Sequence, residues 1–169
     1  MKQLKDKVIA RLITRYPSLL NRWARKARIL RYTETPWTSF TGDPDKSRLA
    51  LITTGGVHLK SQPPFDMRDR KGDPSFREIP ADAKPADLSI THNYYDQRDA
   101  VRDINIVFPL ERVRLLEQFG EIGQVNHRYF SFMGHISNRH IDTLISETAP
   151  GVAEKLREDS VDIALLTPA

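Results

Sequence analysis

"LALITTGGVH", residues 49–58, is the stretch on which the fold turns. Positions 49–52 are all apolar, and Thr53 and Thr54 are β-branched. A short run without charge is what a strand buried on both faces of a parallel sheet requires. Gly55-Gly56 then permits a tight turn directly after it. The stretch therefore predicts a parallel strand over 49–53, with a turn at the carboxyl end where α/β sheets place their chemistry.

Working outward, further strand patterns alternate with helical ones. "LSITH" (88–92) and "YFSFMGH" (129–135) read as strands, and "INIVFP" (104–109) as either a short extended piece or the lead-in to a helix. "LERVRLLEQFG" (110–120) reads as a helix with Leu110, Val113, Leu116 and Phe119 on one face and Gly120 as its stop. "IDTLISETAPGVAEKLRED" (141–159) reads as two helical segments, the second opened by Pro150. "VDIALLTPA" (161–169) reads as a buried strand whose following loop breaks off almost at once. The alternation predicts an α/β fold, a largely parallel sheet flanked by helices in Rossmann- or flavodoxin-like layers. Between the first two strands, 61–87 carries five prolines and five aspartates without periodicity, which predicts a long lid or binding loop.

The 169 residues suffice for one domain with a real core. Residues 1–31 hold ten Lys/Arg and a single acid, whereas the remainder holds sixteen basic and twenty-one acidic residues. The basicity thus belongs to one segment. Its apolar residues, among them Leu4, Val8, Leu12, Tyr16 and Trp23, recur at helical spacing with a break near Pro17. Residues 1–32 therefore predict a basic amphipathic helical segment that packs on the domain or a partner, lies on an anionic membrane surface, or meets nucleic acid. Without aromatic interleaving, nucleic acid is the weakest of the three. A turn-rich connector (33–47) leads to the α/β domain (48–169). No apolar run spans a membrane and no signal-peptide core is present, so the expected location is cytoplasmic. Cysteine is absent, which excludes disulfides and thiolate chemistry within these residues.

Three of the five histidines follow predicted strands: His58, His92 and His135. As parallel neighbours, those strands would gather them on one rim. They would then serve as loop caps, as acid/base groups titrating near neutrality, or as a weak three-histidine metal site. His135 and His140, five apart, have no ligand spacing. Thr54-Gly55-Gly56 is either a tight turn or an anion-binding one, and is neither a dinucleotide nor a Walker fingerprint.

Taken in order, "PWTSF", "LALITTGGVHLKSQPPFDM", "GDPSFREIP", "LSITHNYYD", "NIVFPLERVRLLEQFGEIG", "YFSFMGHI" and "ETAPGVAEKLREDSVDIALLTP" resemble the selenoprotein B family of the glycine/sarcosine/betaine reductases and D-proline reductase. The resemblance runs over 36–169, with "TTGGVHLKSQPPFDM" its most specific piece. Where the family pattern has Tyr-Asp-His, this chain has Tyr95-Asp96-Gln97. The resemblance implies reductive cleavage of a C–N bond α to a carboxylate by a selenocysteine, or a cysteine, just after the last strand. It also implies a pyruvoyl group on a partner subunit, further reductase subunits and a thioredoxin-type reductant. On that implication the chain is either a selenoprotein cut at its own selenocysteine codon, one residue past Ala169, or a cysteine homologue truncated there, the first being the favoured reading. Thr54, Gly55 and Gly56 would then hold a substrate carboxylate, with Lys60 as charge partner. His58, His92 and His135 would be acid/base or orienting candidates, and 61–87 would exclude water. The rival reading is a non-catalytic α/β module that binds an anion or docks a partner.

Overall fold

The computed structural model describes residues 38–169 and, ahead of them, only positions 8, 9, 12, 15, 16 and 18. The expected amphipathic helix of 1–32 and the start of the connector otherwise lie outside the described residues.

The uncharged run forms β1 (Arg48–Thr53), with Leu49, Ala50, Leu51 and Thr53 buried. Along one edge β1 takes β7 (Ile163–Thr167) in parallel, with Leu49 opposite Ile163 and Thr53 opposite Thr167. On its other side β5 (Gln124–Val125) pairs with the start of β1 and β6 (Arg128–Ser131) with its end, both in parallel. A strand has only two hydrogen-bonding edges, so β5 and β6 lie in line, separated by a bulge at Asn126 and His127. Beyond them β3 (Arg77–Pro80) runs antiparallel to β6. The protein is thus mixed α/β, its five-stranded sheet mostly parallel and running β3, β5/β6, β1, β7.

Side-chain alternation along β1 feeds two cores. Leu49, Leu51, Ile79 and Tyr129 pack with Phe108, Leu110 and Val113. Ile52, Phe130 and Phe132 pack with Phe76, Val152 and Leu156. The first core is contributed in part by α2 (Leu110–Gln118), preceded by α1 (Arg98–Arg102) and a 3-10 turn at Ile104–Ile106. Of the two readings of "INIVFP", the helix lead-in is the one observed. The second core is covered by α4 (Ala149–Glu158), which follows α3 (Arg139–Thr143) and a π turn at Leu144–Thr148. Pro150 sits in the first turn of α4, and Gly120 closes the chain after α2 with φ +71.

Four expectations are corrected. "LSITH" does not join the main sheet: β4 (Leu88–Ile90) pairs antiparallel with β2 (Val57–Leu59) as a separate ribbon. Gly56, at φ +70, turns β2 out of line with β1, and β2 then occupies the edge of β4. Second, 61–87 is not one loop. Residues 77–80 are β3, and a four-residue strand ending in Pro80 is too short to show periodicity and sits where proline is tolerated, at a sheet edge. Third, β7 is not buried: it pairs on one side only, and Leu166 is 68% exposed. Fourth, the helical face of α2 is buried only at its start, since Leu116 and Phe119 remain exposed. Among the described residues, no helix is long and apolar enough to cross a membrane.

The amino ends of the strands are locked by charge. Arg128 holds Asp159 through two hydrogen bonds of 2.7 and 2.8 Å, and Asn126 Nδ2 donates to the same carboxylate at 2.9 Å. Arg128 and Lys155 both pair with Glu78, at 3.2 and 3.0 Å. Arg48 donates to the Asp159 carbonyl, and its N–H to Asp162 at 2.8 Å. Bonding to Arg128 holds the Asp159 carboxyl down at about 2.

Candidate active site

The carboxyl ends of β1 and β7 meet where their threonines share one acceptor. Thr53 Oγ1 and Thr167 Oγ1 both donate to the Val107 carbonyl, at 2.6 and 2.9 Å. Past this point the two chains stay joined: the Thr54 N–H donates to Thr167 O at 3.1 Å, and the Ala169 N–H to Thr54 Oγ1 at 3.2 Å. The Gly55 N–H donates to Thr53 Oγ1 at 3.0 Å and the Gly56 N–H to Phe132 O at 2.9 Å. Every N–H of the expected anion-binding turn is therefore already bonded within the protein. Gly56 is required for space as well as for its positive φ, since a Cβ there would lie 2.5 Å from the Thr91 carbonyl oxygen.

The three histidines of the expected rim have different surroundings. His58 is buried, with Nδ1 2.8 Å from Leu59 O and Nε2 2.8 Å from Thr91 Oγ1. Nδ1 thus stays within β2, and Nε2 ties β2 to the residue after β4. His135 is half-buried, stacked on Tyr94 at 3.8 Å between centroids, with Nε2 3.0 Å from Arg70 O. His92 is 4% exposed, and its ring lies against Tyr95 at 4.8 Å and edge-on to Tyr94 at 5.9 Å. The Tyr94 N–H donates to Nδ1 at 3.1 Å, which assigns the ring proton to Nε2. Among the described residues that Nε2 is buried with no hydrogen-bond partner. Burial, with the nearby His135 second, holds His92 down at about 4, so the ring is neutral at pH 7. Burial also pushes the Tyr95 phenol up to about 12, and its hydroxyl donates to Gly55 O at 3.0 Å.

The structure brings His92 and Thr54 together beside Gly134. A Cβ on Gly134 would lie 3.3 Å from Thr54 O, 3.4 Å from Ala169 O and 3.5 Å from His92 Nε2. Three polar atoms from three segments thus surround one small space, kept open because residue 134 has no side chain. Two of the three are carbonyl oxygens, so the one donor beside this space is the buried His92 N–H. Lys60 is elsewhere: its Nζ donates to Ala86 O at 2.6 Å, and it lines a different cavity with Asp82, Lys84 and Asp87. Among the described residues no cluster of three His, Cys, Asp or Glu could hold a metal ion.

On another side His92 borders a cleft of about 550 Å³ lined by residues 64–68 and 90–93. Its wall is tightly held. Phe65 is buried edge-on to the His58 ring, with the Arg77 guanidinium 4.3 Å from its centroid. Arg77 Nε donates to Pro63 O at 2.9 Å, and the Asp66 N–H to Asp73 Oδ2 at 2.9 Å. The loop beyond is latched by Asp69, which accepts from Arg139 at 2.8 Å and lies 2.9 Å from His140 Nε2. The Lys71 N–H first, and then those bonds, hold the Asp69 carboxyl well below the usual carboxylate range. Phe65, Arg68, Asn93 and Gly134 escaped the reading of the sequence. The available signal was that "PPFDM" and "ITHN", the cleft's two walls, both follow strand ends.

The sequence profile of the family described as glycine/sarcosine/betaine reductase selenoprotein B matches residues 36–169. The D-proline reductase subunit gamma of Acetoanaerobium sticklandii is 37% identical over 131 residues, covering 78% of this chain and 52% of that protein. The sarcosine reductase complex component B subunit beta of Peptoclostridium acidaminophilum is 30% identical over 132 residues, 74% of this chain and 28% of that one. The glycine reductase complex component B subunit gamma of Carboxydothermus hydrogenoformans is 25% identical over 150 residues, 80% and 33%. The chain thus spans about half of the first relative and about a third of the other two. No solved structure matches.

Proposed function

Because this chain belongs to the glycine/sarcosine/betaine reductase selenoprotein B family, we propose that it is part of a reductase-complex component that cleaves a C–N bond α to a carboxylate. On this reading a selenocysteine or cysteine follows Ala169, and residues 48–169 are the domain that presents it. The group would supply a two-electron nucleophile: it would take the α-carbon as the C–N bond breaks and the amine leaves. An external dithiol would then break the new Se–C or S–C bond, the carbon leaving with a proton and the dithiol ending as a disulfide. A pyruvoyl group activating the amine, and the reductant itself, would come from partner chains, in keeping with relatives named as subunits of complexes. Two apolar cores on alternating residues of β1 support Rossmann-like layering around this sheet.

The observation that carries the reading is the unpartnered Nε2–H of His92, buried beside Gly134 and the Ala169 carbonyl. A neutral imidazole there donates a hydrogen bond to a selenolate or thiolate without contributing a charge of its own. His135, stacked on Tyr94 next to it, orients the site, and His58 holds the ribbon that carries Thr91 and His92.

The coding sequence past Ala169 tests this first. An in-frame UGA or cysteine codon, followed by open frame with a second cysteine within a few residues, is the expected result. The extended protein with cysteine at that position should then alkylate with iodoacetamide at neutral pH, and His92→Leu should slow the reaction by about tenfold or more. A UAA codon, or unrelated sequence after the UGA, sinks the reductase reading and leaves a binding module.

A further inference from the structure

We infer that Thr54 is a positioning residue: its hydroxyl holds the chain as it leaves β7, so that the group following Ala169 is turned toward His92 Nε2. The inference rests on the reductase reading for the identity of that group and on the strand ends alone for the hold.

Thr54 follows β1 and bonds the outgoing chain twice, on either side of Pro168. Its N–H donates to Thr167 O at 3.1 Å, and its Oγ1 accepts from the Ala169 N–H at 3.2 Å. In the register that pairs Thr53 with Thr167, a regular parallel ladder would carry the Ala169 N–H to the Thr54 carbonyl instead. The hydroxyl takes that donor, and the carbonyl is left beside the space at Gly134, 3.3 Å from where a Cβ would stand. Proline has no N–H, so among the described residues this bond to Thr54 is the only hydrogen bond of the last two residues.

The strand ends behind this hold are fixed. The Thr53 and Thr167 hydroxyls both donate to Val107 O, and Thr53 is buried. Pro168 fixes its own φ, so the freedom left to the exit lies mainly in the last peptide, the one the hydroxyl bonds. Ala169 O lies 3.4 Å, and His92 Nε2 3.5 Å, from the Cβ position at Gly134. The carbon of that Ala169 carbonyl bears the bond to the next residue. Holding the Ala169 N–H therefore sets the direction in which the next side chain starts, toward the buried donor. The N–H and hydroxyl oxygen of Thr54 that were expected to meet a substrate carboxylate are both engaged by β7.

Two variants test the inference. Thr54→Val keeps the branched shape and removes the acceptor, whereas Thr54→Ser keeps the oxygen. Thr54 is half-buried just past the strand, so both should keep the parent's amide spectrum. In the 169-residue chain, hydrogen exchange of the Ala169 amide should quicken by about fivefold or more in Thr54→Val and stay near the parent in Thr54→Ser. In the extended chain with a cysteine after Ala169, the midpoint of alkylation against pH should rise in Thr54→Val, because the thiolate loses the His92 N–H. At pH 7 the reaction should slow by about threefold to tenfold, and Thr54→Ser should restore it. A contact that only stabilised the fold would lower the urea midpoint and leave the alkylation midpoint in place. An Ala169 amide that exchanges equally fast in parent and Thr54→Val overturns the inference. So does an alkylation midpoint that moves in His92→Leu but not in Thr54→Val. If the amide responds and neither variant moves the midpoint, the reductase reading falls and the hold on Ala169 stands.

Discussion

At the amino ends of the parallel strands, Arg128 reaches Asp159 through two hydrogen bonds, and Asn126, Arg48, Glu78 and Lys155 complete the set. At the carboxyl ends, His92 Nε2 is as deeply buried and has no partner among the described residues. The two rims belong to one sheet and are some five residues apart along β1. One spends its charge on holding strands together, and its groups can do nothing else. The other leaves a donor unsatisfied and keeps a glycine beside it, a local cost that a merely structural rim would avoid. A buried orphan next to an open space, rather than a cluster of titratable residues, is what separates the working rim from the structural one.

The largest expected effect is on the amino rim. Asp159→Ala leaves Arg128 without its main partner and Asn126 without an acceptor. Urea unfolding should show a loss of about 3 kcal/mol. A loss below about 1 kcal/mol would mean that Glu78 and Glu158 take over and that the rim is not locked.

Acid separates the rims next. His92 is held down at about 4, below its ordinary 6.5, so the unfolded chain takes up a proton the folded one refuses as pH falls between those values. Stability is therefore full above 6.5 and drains toward pH 4, by on the order of 3 kcal/mol for this group. Asp159, held at about 2, contributes stability above its ordinary 3.8 that is lost only as pH falls from there toward 2. Urea midpoints of parent and His92→Leu should diverge between pH 6.5 and 4, and those of parent and Asp159→Ala should converge below 4. Parallel curves for parent and His92→Leu would show that the imidazole is not buried as described.

The amino rim was the less legible of the two in the sequence. Nothing in "REDSVD" marks Asp159 as nearly buried, because the residues that satisfy it, Arg128, Asn126 and Arg48, are brought to it by strand pairing and not by spacing. The strands at 49–53 and 163–167 were legible because uncharged apolar runs have few other uses. β3 was not, since "REIP" owes its conformation to the edge of β6. The three histidines were legible as residues following strands, yet not as a group. A positive φ at Gly56 sends β2 away from the sheet, and His58 then spends both nitrogens inside the ribbon. The resemblance pointed to the family and to the strand end. Only the fold distinguishes His92 from His58.

At pH 7.5, where the imidazole is neutral in both folded and unfolded chains, His92→Leu should leave stability within about 1 kcal/mol of the parent. It removes an unsatisfied donor along with the bond from the Tyr94 N–H. The smallest change belongs to Gly134. A methyl there would stand 3.3 Å from Thr54 O and 3.5 Å from His92 Nε2, close but tolerable, and the φ of Gly134 is not positive. Gly134→Ala should therefore shift the unfolding midpoint by only a few tenths of a kcal/mol. It fills the space that Nε2 faces, however, so alkylation of a cysteine placed after Ala169 should slow by about tenfold, as for His92→Leu. The double variant should be no slower than either single one, because both remove the same contact. Additive slowing would mean that the space and the donor serve different ends, and that the orphaned nitrogen is not what the rim is built around.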